Sequence, residues 1–335
     1  MSRHKGLCEA RQRKNDEYYT LYQDVESEMT NYKDQLYGKD IYCNCDTTGS
    51  NFYIYFKEHY VEYGLNSLTA TAYNSTGTGE YAFYDGITET TTSLTGNGSY
   101  DSEECLEILK DKVVITNPPF SLFRQYYSTI TDPQYNTDFI VIASQTILGR
   151  KKIFRDFRDG KTRIGYDSFG GKRFMQEDGT LKRLPVIWLT SFPVKATDRR
   201  IVHKLTRHYT PEDYPKYDNY DCIEVSRSMD IPIDYSGYMG VPLSFVQFHN
   251  PDEFEIVGLT AYDAQEMIAG IPMTKKYTKW IEKHNDGTLT GQVGMKSNGY
   301  ALLSGKGHSN YLENPETGEC VHTLYDRLII RRKRL

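Results

Sequence analysis

Two apolar periods alternate along the first part of this chain. Val25, Met29, Tyr32 and Leu36 recur at helical spacing, and Ile41, Cys43 and Cys45 then alternate along a strand expected over 39–46. Phe52, Phe56, Tyr60 and Tyr63 form a second helical stripe behind Ser50, whose hydroxyl suits an N-cap. A second strand is expected over 68–73, followed by an insertion or hairpin over 74–98 rich in Gly, Thr and Ser. Ser102 then caps a helix with Glu103 and Glu104 in its first turn, where the dipole favours them. Val113, Val114 and Ile115 give a buried strand, Phe123, Tyr126, Tyr127 and Ile130 a helical face, and 139–143 another buried strand. Ile153, Phe154 and Phe157 make an apolar face that leaves Lys151, Lys152, Arg155 and Arg158 outward, and 185–192 closes the series with Trp188. Strands alternating with helices predict an α/β fold whose parallel sheet is covered on both sides.

Beyond Pro193 the pattern changes. Residues 211–220 are rich in Tyr and Pro, 231–248 read as short strands and turns, and 286–307 is a β stretch punctuated by glycine. The first fourteen residues are polar and basic with no period, and are read as a mobile arm.

The strand at 113 ends in Asn117-Pro118-Pro119-Phe120. Two prolines stop the strand in a stiff loop, so Asn117 is expected at the carboxyl edge of the sheet, where open α/β sheets bind ligands. Its amide offers an acceptor and a donor, and Phe120 offers a flat apolar face. These groups suit a flat base bearing a primary amine. Hydrogen bonds from that amine to the Asn117 oxygen and the Pro118 carbonyl favour the tetrahedral nitrogen that attacks a methyl group. Asn-Pro is also an ordinary turn dipeptide, so the context decides.

The first strand's loop, Asp46-Thr47-Thr48-Gly49-Ser50-Asn51-Phe52, leads into a capped helix, the geometry that holds a nucleotide-like ligand. It has one glycine where many nucleotide loops have several, and Asp46 also suits a helix cap. No acidic residue stands at the end of the second strand to grip a ribose.

Composition narrows the class. The 335 residues suffice for one large α/β domain and a smaller appendage, and 29 tyrosines add bulk to an apolar fraction of 38%. No run reaches the length of a membrane span, and a soluble, cytoplasmic protein is expected. Cys8, Cys43, Cys45, Cys105, Cys222 and Cys320 form no CxxC pair and are read as reduced thiols, with no metal site. A net charge of −5 argues against general polyanion binding, but phosphate neutralisation is local. Basic residues cluster at the amino terminus, over 150–183 and over 199–207; each cluster alone also reads as a solvated surface.

Asn117-Pro118-Pro119-Phe120 resembles motif IV of the amino methyltransferases, in the Phe form commoner among DNA adenine-N6 enzymes. Asp16-Glu17-Tyr18-Tyr19-Thr20, Tyr42-Cys43-Asn44-Cys45-Asp46 with Ser50-Asn51-Phe52, and Met239-Gly240-Val241-Pro242-Leu243-Ser244-Phe245 with Asn250-Pro251-Asp252-Glu253-Phe254-Glu255-Ile256 are similar, in order, to the EcoRI-type adenine methyltransferase family. The resemblance implies a Rossmann-like sheet over 15–195 that uses S-adenosylmethionine, yields S-adenosylhomocysteine, requires no metal, and precedes a mixed target-recognition region over 196–335. It implies a site-specific DNA adenine-N6 methyltransferase acting on a flipped adenine in duplex DNA, monomeric, with a restriction endonuclease as a functional partner. Asn117, Pro118, Pro119 and Phe120 would then be catalytic. Tyr18, Tyr19, Thr20, Cys45, Asp46, Asn51, Phe52, Asp101 and Asn117 would hold the donor, although Tyr18, Tyr19 and Thr20 also suit a staple at the helix start. Arg11, Arg13, Lys14, Lys151, Lys152, Arg155, Lys172, Arg173, Arg199 and Arg200 are the expected DNA contacts. The rivals are an RNA or protein-glutamine methyltransferase and a DNA-binding relative that has lost turnover.

Overall fold

A computed structural model describes residues 18–168, 170–176, 178–195, 205–260, 270–293, 299–307 and 310–333. The arm at 1–14, with Arg11, Arg13 and Lys14, and also Arg199 and Arg200, lie outside the described residues. The chain divides into two compact units, Met1–Ile147 with Thr162–Arg200, and Leu148–Lys161 with Ile201–Leu335. The helix Lys151–Arg158, grouped on sequence with the first domain, belongs to the second unit, because its apolar face packs on a strand of that unit.

Strands of the first unit are β1 (Tyr19–Thr20), β2 (Asp40–Cys43), β3 (Ser67–Ala72), β4 (Glu80–Tyr84), β5 (Glu89–Ser93), β6 (Val113–Thr116), β7 (Asp138–Ser144), β8 (Arg163–Ile164), β9 (Lys172–Met175), β10 (Leu181–Leu184) and β11 (Val186–Thr190). Eight of them form one sheet in the order β5-β4-β3-β2-β6-β7-β11-β8. Only β3, β2, β6 and β7 run parallel; β4, β5, β11 and β8 add antiparallel edges, which corrects the expectation of a parallel sheet throughout. Apolar patterning marks a strand but not its direction, so the 74–98 insertion gave no sign that its hairpin would extend the sheet. All four residues of β6 are buried, as expected of a central strand covered on both faces. The pairings Ile41↔Leu68, Ile41↔Val113 and Val114↔Phe139 bring the carboxyl ends of the parallel strands to one edge.

Aromatic residues fill this unit's core, and the buried tyrosine hydroxyls find partners that make their burial tolerable. Tyr32 donates to Glu28 at 2.7 Å, Tyr126 to Asn44 at 2.7 Å, and Tyr55 and Tyr63 share a bond of 2.8 Å. Glu28 is itself fully buried and accepts from the backbone N–H groups of Tyr166 (2.9 Å) and Asp167 (2.6 Å). Burial pushes its carboxyl up to about 7, against the pull of those donors. It anchors the chain just before β9. β9 pairs with β1 and β10 in a separate three-stranded sheet.

The second unit is built mainly from strands. β12 (Ile223–Glu224), β13 (Met239–Pro242), β20 (Arg327–Arg332) and β14 (Phe254–Thr260) form one sheet in that order. β15 (Ile281–His284), β16 (Leu289–Val293), β17 (Leu302–Ser304), β18 (Asn310–Glu313) and β19 (Cys320–Thr323) form the other. Arg327 donates to both oxygens of the buried Glu224 carboxylate, so this ion pair is forked rather than single. No helix among the described residues is long and apolar enough to cross a membrane.

Candidate active site

The site lies at the carboxyl ends of β2, β3 and β6, with β1 laid beside them. Pro118 and Pro119 hold the chain extended beyond β6 before a turn of 3-10 helix at Phe120–Leu122 and the helix Phe123–Ile130. Asn117 therefore stays at the edge. Its Nδ2 donates to the Tyr18 carbonyl at 2.7 Å, while its Oδ1 is buried with no hydrogen-bond partner. A buried acceptor left in this way costs about 1–3 kcal/mol, so the fold keeps it at some expense.

β1 is tied to both neighbouring loops. Asn117 holds Tyr18, and Asn51 Nδ2 donates to the Thr20 carbonyl at 2.7 Å. Thr20 is 5% exposed, and its hydroxyl is a second buried group with no partner. Gln35 Oε1 and Ser228 Oγ are likewise buried without a partner, but Asn117 Oδ1 and Thr20 Oγ1 are the two that lie beside the carboxyl edge of the parallel strands, where a ligand bearing hydrogen-bonding groups could meet them.

The loop after β2 behaves otherwise. Asp46 is buried and accepts from the Thr116 hydroxyl at 2.5 Å, and its backbone N–H donates to the Thr71 carbonyl at 3.1 Å. Burial pushes the Asp46 carboxyl up to about 6; hydrogen bonds from Thr116 and Ser50 work against that rise. Ser50 Oγ also accepts from Tyr53 N at 3.2 Å and caps the helix Asn51–Glu58, as its position suggested. Beside this loop, an open cleft of about 510 Å³ is lined by Thr47, Ala72, Tyr73, Asn74 and Glu80, with Thr91, Thr92 and Ser93 of β5.

The other expected residues divide. Cys45 is half-buried next to Asp46, and Tyr19 is 49% exposed. Phe120 is half-buried; it stacks on Tyr18 with centroids 6.0 Å apart and meets Phe174 edge-on at 6.2 Å. Lys182 Nζ sits 5.1 Å over the Tyr18 ring and donates to its hydroxyl at 2.9 Å. Phe52 does not line the site: it is 2% exposed, with its ring against Trp188 in the core. Asp101 is exposed, accepts from the Ser99 hydroxyl, and is not among the residues lining the cleft. Lys172 is corrected from a DNA contact to an internal ion pair, because its ammonium is buried with Asp167 at 2.5 Å and Asp24 at 3.5 Å. Arg173 is exposed.

Reading the sequence alone missed Thr116, Asn44, Glu80 and Lys182. Thr116 had a signal, as the one polar residue of an otherwise apolar strand. Glu80 had none, because its place depends on β4 folding back along β3, where it reaches the Thr48 N–H at 3.4 Å. Among the described residues, no group of His, Cys, Asp and Glu is arranged to hold a metal ion.

An α/β unit with a polar amide at the carboxyl edge of its parallel strands has the framework of a ligand-binding α/β enzyme. Residues 6–93 and 82–333 match the family described as "Adenine-specific methyltransferase EcoRI", and the chain belongs to that family. It is 33% identical over 294 residues to the Type II methyltransferase M.EcoRI of Escherichia coli, covering 76% of this chain and 88% of that protein. It is 33% identical over 272 residues to the Type II methyltransferase M.MpnI of Mycoplasma pneumoniae, covering 75% of this chain and 85% of that protein. The Type II methyltransferase M.MgeORF184P of Mycoplasma genitalium is 32% identical over 272 residues. No solved structure matches the chain. The chain is thus a site-specific DNA adenine methyltransferase, and the RNA, protein-glutamine and inactive readings are not favoured.

Proposed function

We propose that the first unit transfers a methyl group from S-adenosylmethionine to the N6 amine of an adenine extruded from duplex DNA, and that the second unit reads the surrounding bases. The observation that carries this reading is the buried, unpartnered Asn117 Oδ1 at the end of β6. An exocyclic amine supplies the hydrogen this atom lacks, and the family to which the chain belongs makes that amine adenine N6 rather than cytosine N4. The Pro118 carbonyl takes the second amine hydrogen, and Phe120 with Tyr18 supplies the aromatic face on which the base rests.

Asp46, the Thr20 hydroxyl and Asn51 are the groups that would hold the donor, with Asp46 toward its ammonium. Glu80, which lines the adjoining cleft, is the acid that would hold the ribose diol. Bound there, S-adenosylmethionine supplies an electrophilic methyl group on a cationic sulfur. The chain orients the amine and excludes water around it, and no strong base is needed before attack. The Rossmann-like assignment of the sheet, a monomeric state, a cytoplasmic location and a restriction endonuclease as functional partner complete the proposal. Digestion of duplex DNA methylated by the purified chain should yield N6-methyladenine as the modified nucleoside. N4-methylcytosine as the product, or label on RNA or protein instead, would refute it.

A further inference from the structure

The sheet of β1, β9 and β10 has two faces of opposite character. Thr20, Phe174 and Lys182 share one register row, and this face turns toward the site: Phe174 is fully buried and Lys182 reaches Tyr18. The next row, Tyr19, Met175 and Leu181, lies on the opposite face by strand alternation and stays 49%, 36% and 50% exposed. Beside it, Arg173 and Arg183 are directly opposed across the strands, and both are exposed. Arg183 is held in place by donating from Nε to the Gly170 carbonyl at 2.9 Å.

Such a face is costly to keep in water. Like charges directly opposite on neighbouring strands repel, and an exposed apolar row lowers solubility. β1, β9 and β10 contain no carboxylate, and Asp24, whose charge acts on Arg173, already pairs with the buried Lys172. Charge complementarity therefore points to a polyanion, and the apolar row points to a polyanion with an apolar interior. Duplex DNA has both, once a base has left the stack.

Resting on the adenine-methylation reading, we infer that the outer face of the β9–β10 hairpin docks on the target duplex. Arg173 and Arg183 lie on phosphates, and Met175 and Leu181 press against the bases left unstacked when the adenine is extruded. Proteins that open or kink a duplex use apolar side chains as wedges in this way. The hairpin suits the task because Gly179, at positive φ, closes its turn, and Gln176 N–H donates to the Thr180 carbonyl at 2.9 Å. The β9–β10 ladder and the buried Phe174 behind it fix the register of the two strands.

The test compares Met175→Ser/Leu181→Ser with the full-length wild-type protein on two substrates. One is an intact target duplex; the other has an abasic site opposite the adenine, which lowers the extrusion cost. We expect the double variant to lose at least about tenfold in methylation of the intact duplex and less than threefold on the abasic one. Arg173→Gln should lower the slope of log affinity against log salt by roughly 1. Unchanged donor affinity and near-UV circular dichroism check that the variants fold. Equal loss on both substrates, or no loss on either, overturns the wedge. The adenine-methylation reading fails separately, if the wild type itself makes no N6-methyladenine.

Discussion

The loops that follow β2 and β6 leave the same sheet edge from adjacent parallel strands, yet each treats its polar residue differently. After β2, Asp46 accepts from donors within the chain, the Thr116 hydroxyl first, although burial still outweighs them. After β6, Asn117 spends its amide hydrogen on Tyr18 and leaves its oxygen bare. An ion must be surrounded by fixed dipoles before it can be buried, because the alternative is protonation or a prohibitive desolvation cost. A neutral acceptor can wait for its partner at a cost of about 1–3 kcal/mol. On the proposed function the two loops divide the labour: Asp46 would hold the cationic end of the donor, and Asn117 Oδ1 would receive the N–H of the target amine.

The largest expected effect breaks the Asn117 side of this comparison. Asn117→Ala should lose at least about a hundredfold in turnover, the scale of removing one preorganised polar group, while donor affinity by titration calorimetry changes less than threefold. Parallel loss of donor binding would show that the two loops form one site without that division.

A smaller effect comes from Asp46→Asn, which should weaken donor affinity about tenfold and abolish its pH dependence. In the wild type, affinity should fall as pH drops through about 6, where the carboxylate gains its proton. The stability effect has the opposite sign. The folded chain holds the Asp46 proton more tightly than the unfolded chain, so ionisation weakens the fold as pH rises from about 4, the unfolded value, through about 6. Asp46→Asn should therefore raise the thermal midpoint at pH 8 by at least about 2 °C, with a smaller gain at pH 5. A midpoint lowered equally at both pH values would mean that Asp46 is a structural cap and no more.

The smallest effect sharpens the comparison. Thr116→Val removes the donor that opposes the rise in the Asp46 pKa, so the acid limit of donor affinity should move to higher pH. Turnover at pH 8 should fall only a few-fold. An unmoved acid limit would mean that Thr116 does not set the state of Asp46.

Much of this edge was legible in the sequence because its signals are local. A buried run ending in two prolines placed Asn117, and Ser50 and Ser102 each cap the helix that follows them. Features that depend on distant pairing were hidden. Lys172 reads as a surface cation until β9 brings it to Asp24 and Asp167, and Glu28 reads as an ordinary helix acid until the chain at Tyr166 and Asp167 covers it. Glu80 became visible only with the antiparallel turn of β4. Phe52 was placed near the donor by motif position, but its helical stripe carried it into the core instead.

The central claim is that the bare oxygen of Asn117 receives the target amine, and it can be tested without turnover. Once the methylated word has been read from modified adenines in DNA of expressing cells, two duplexes are made that carry either adenine or purine, which lacks the amine, at the target position. Their affinities are measured with S-adenosylhomocysteine present, for wild type and Asn117→Ala. The wild type should prefer adenine over purine by about tenfold, the order of one buried hydrogen bond, and Asn117→Ala should show almost no preference. An adenine preference of equal size in both proteins would place the amine elsewhere and contradict the account.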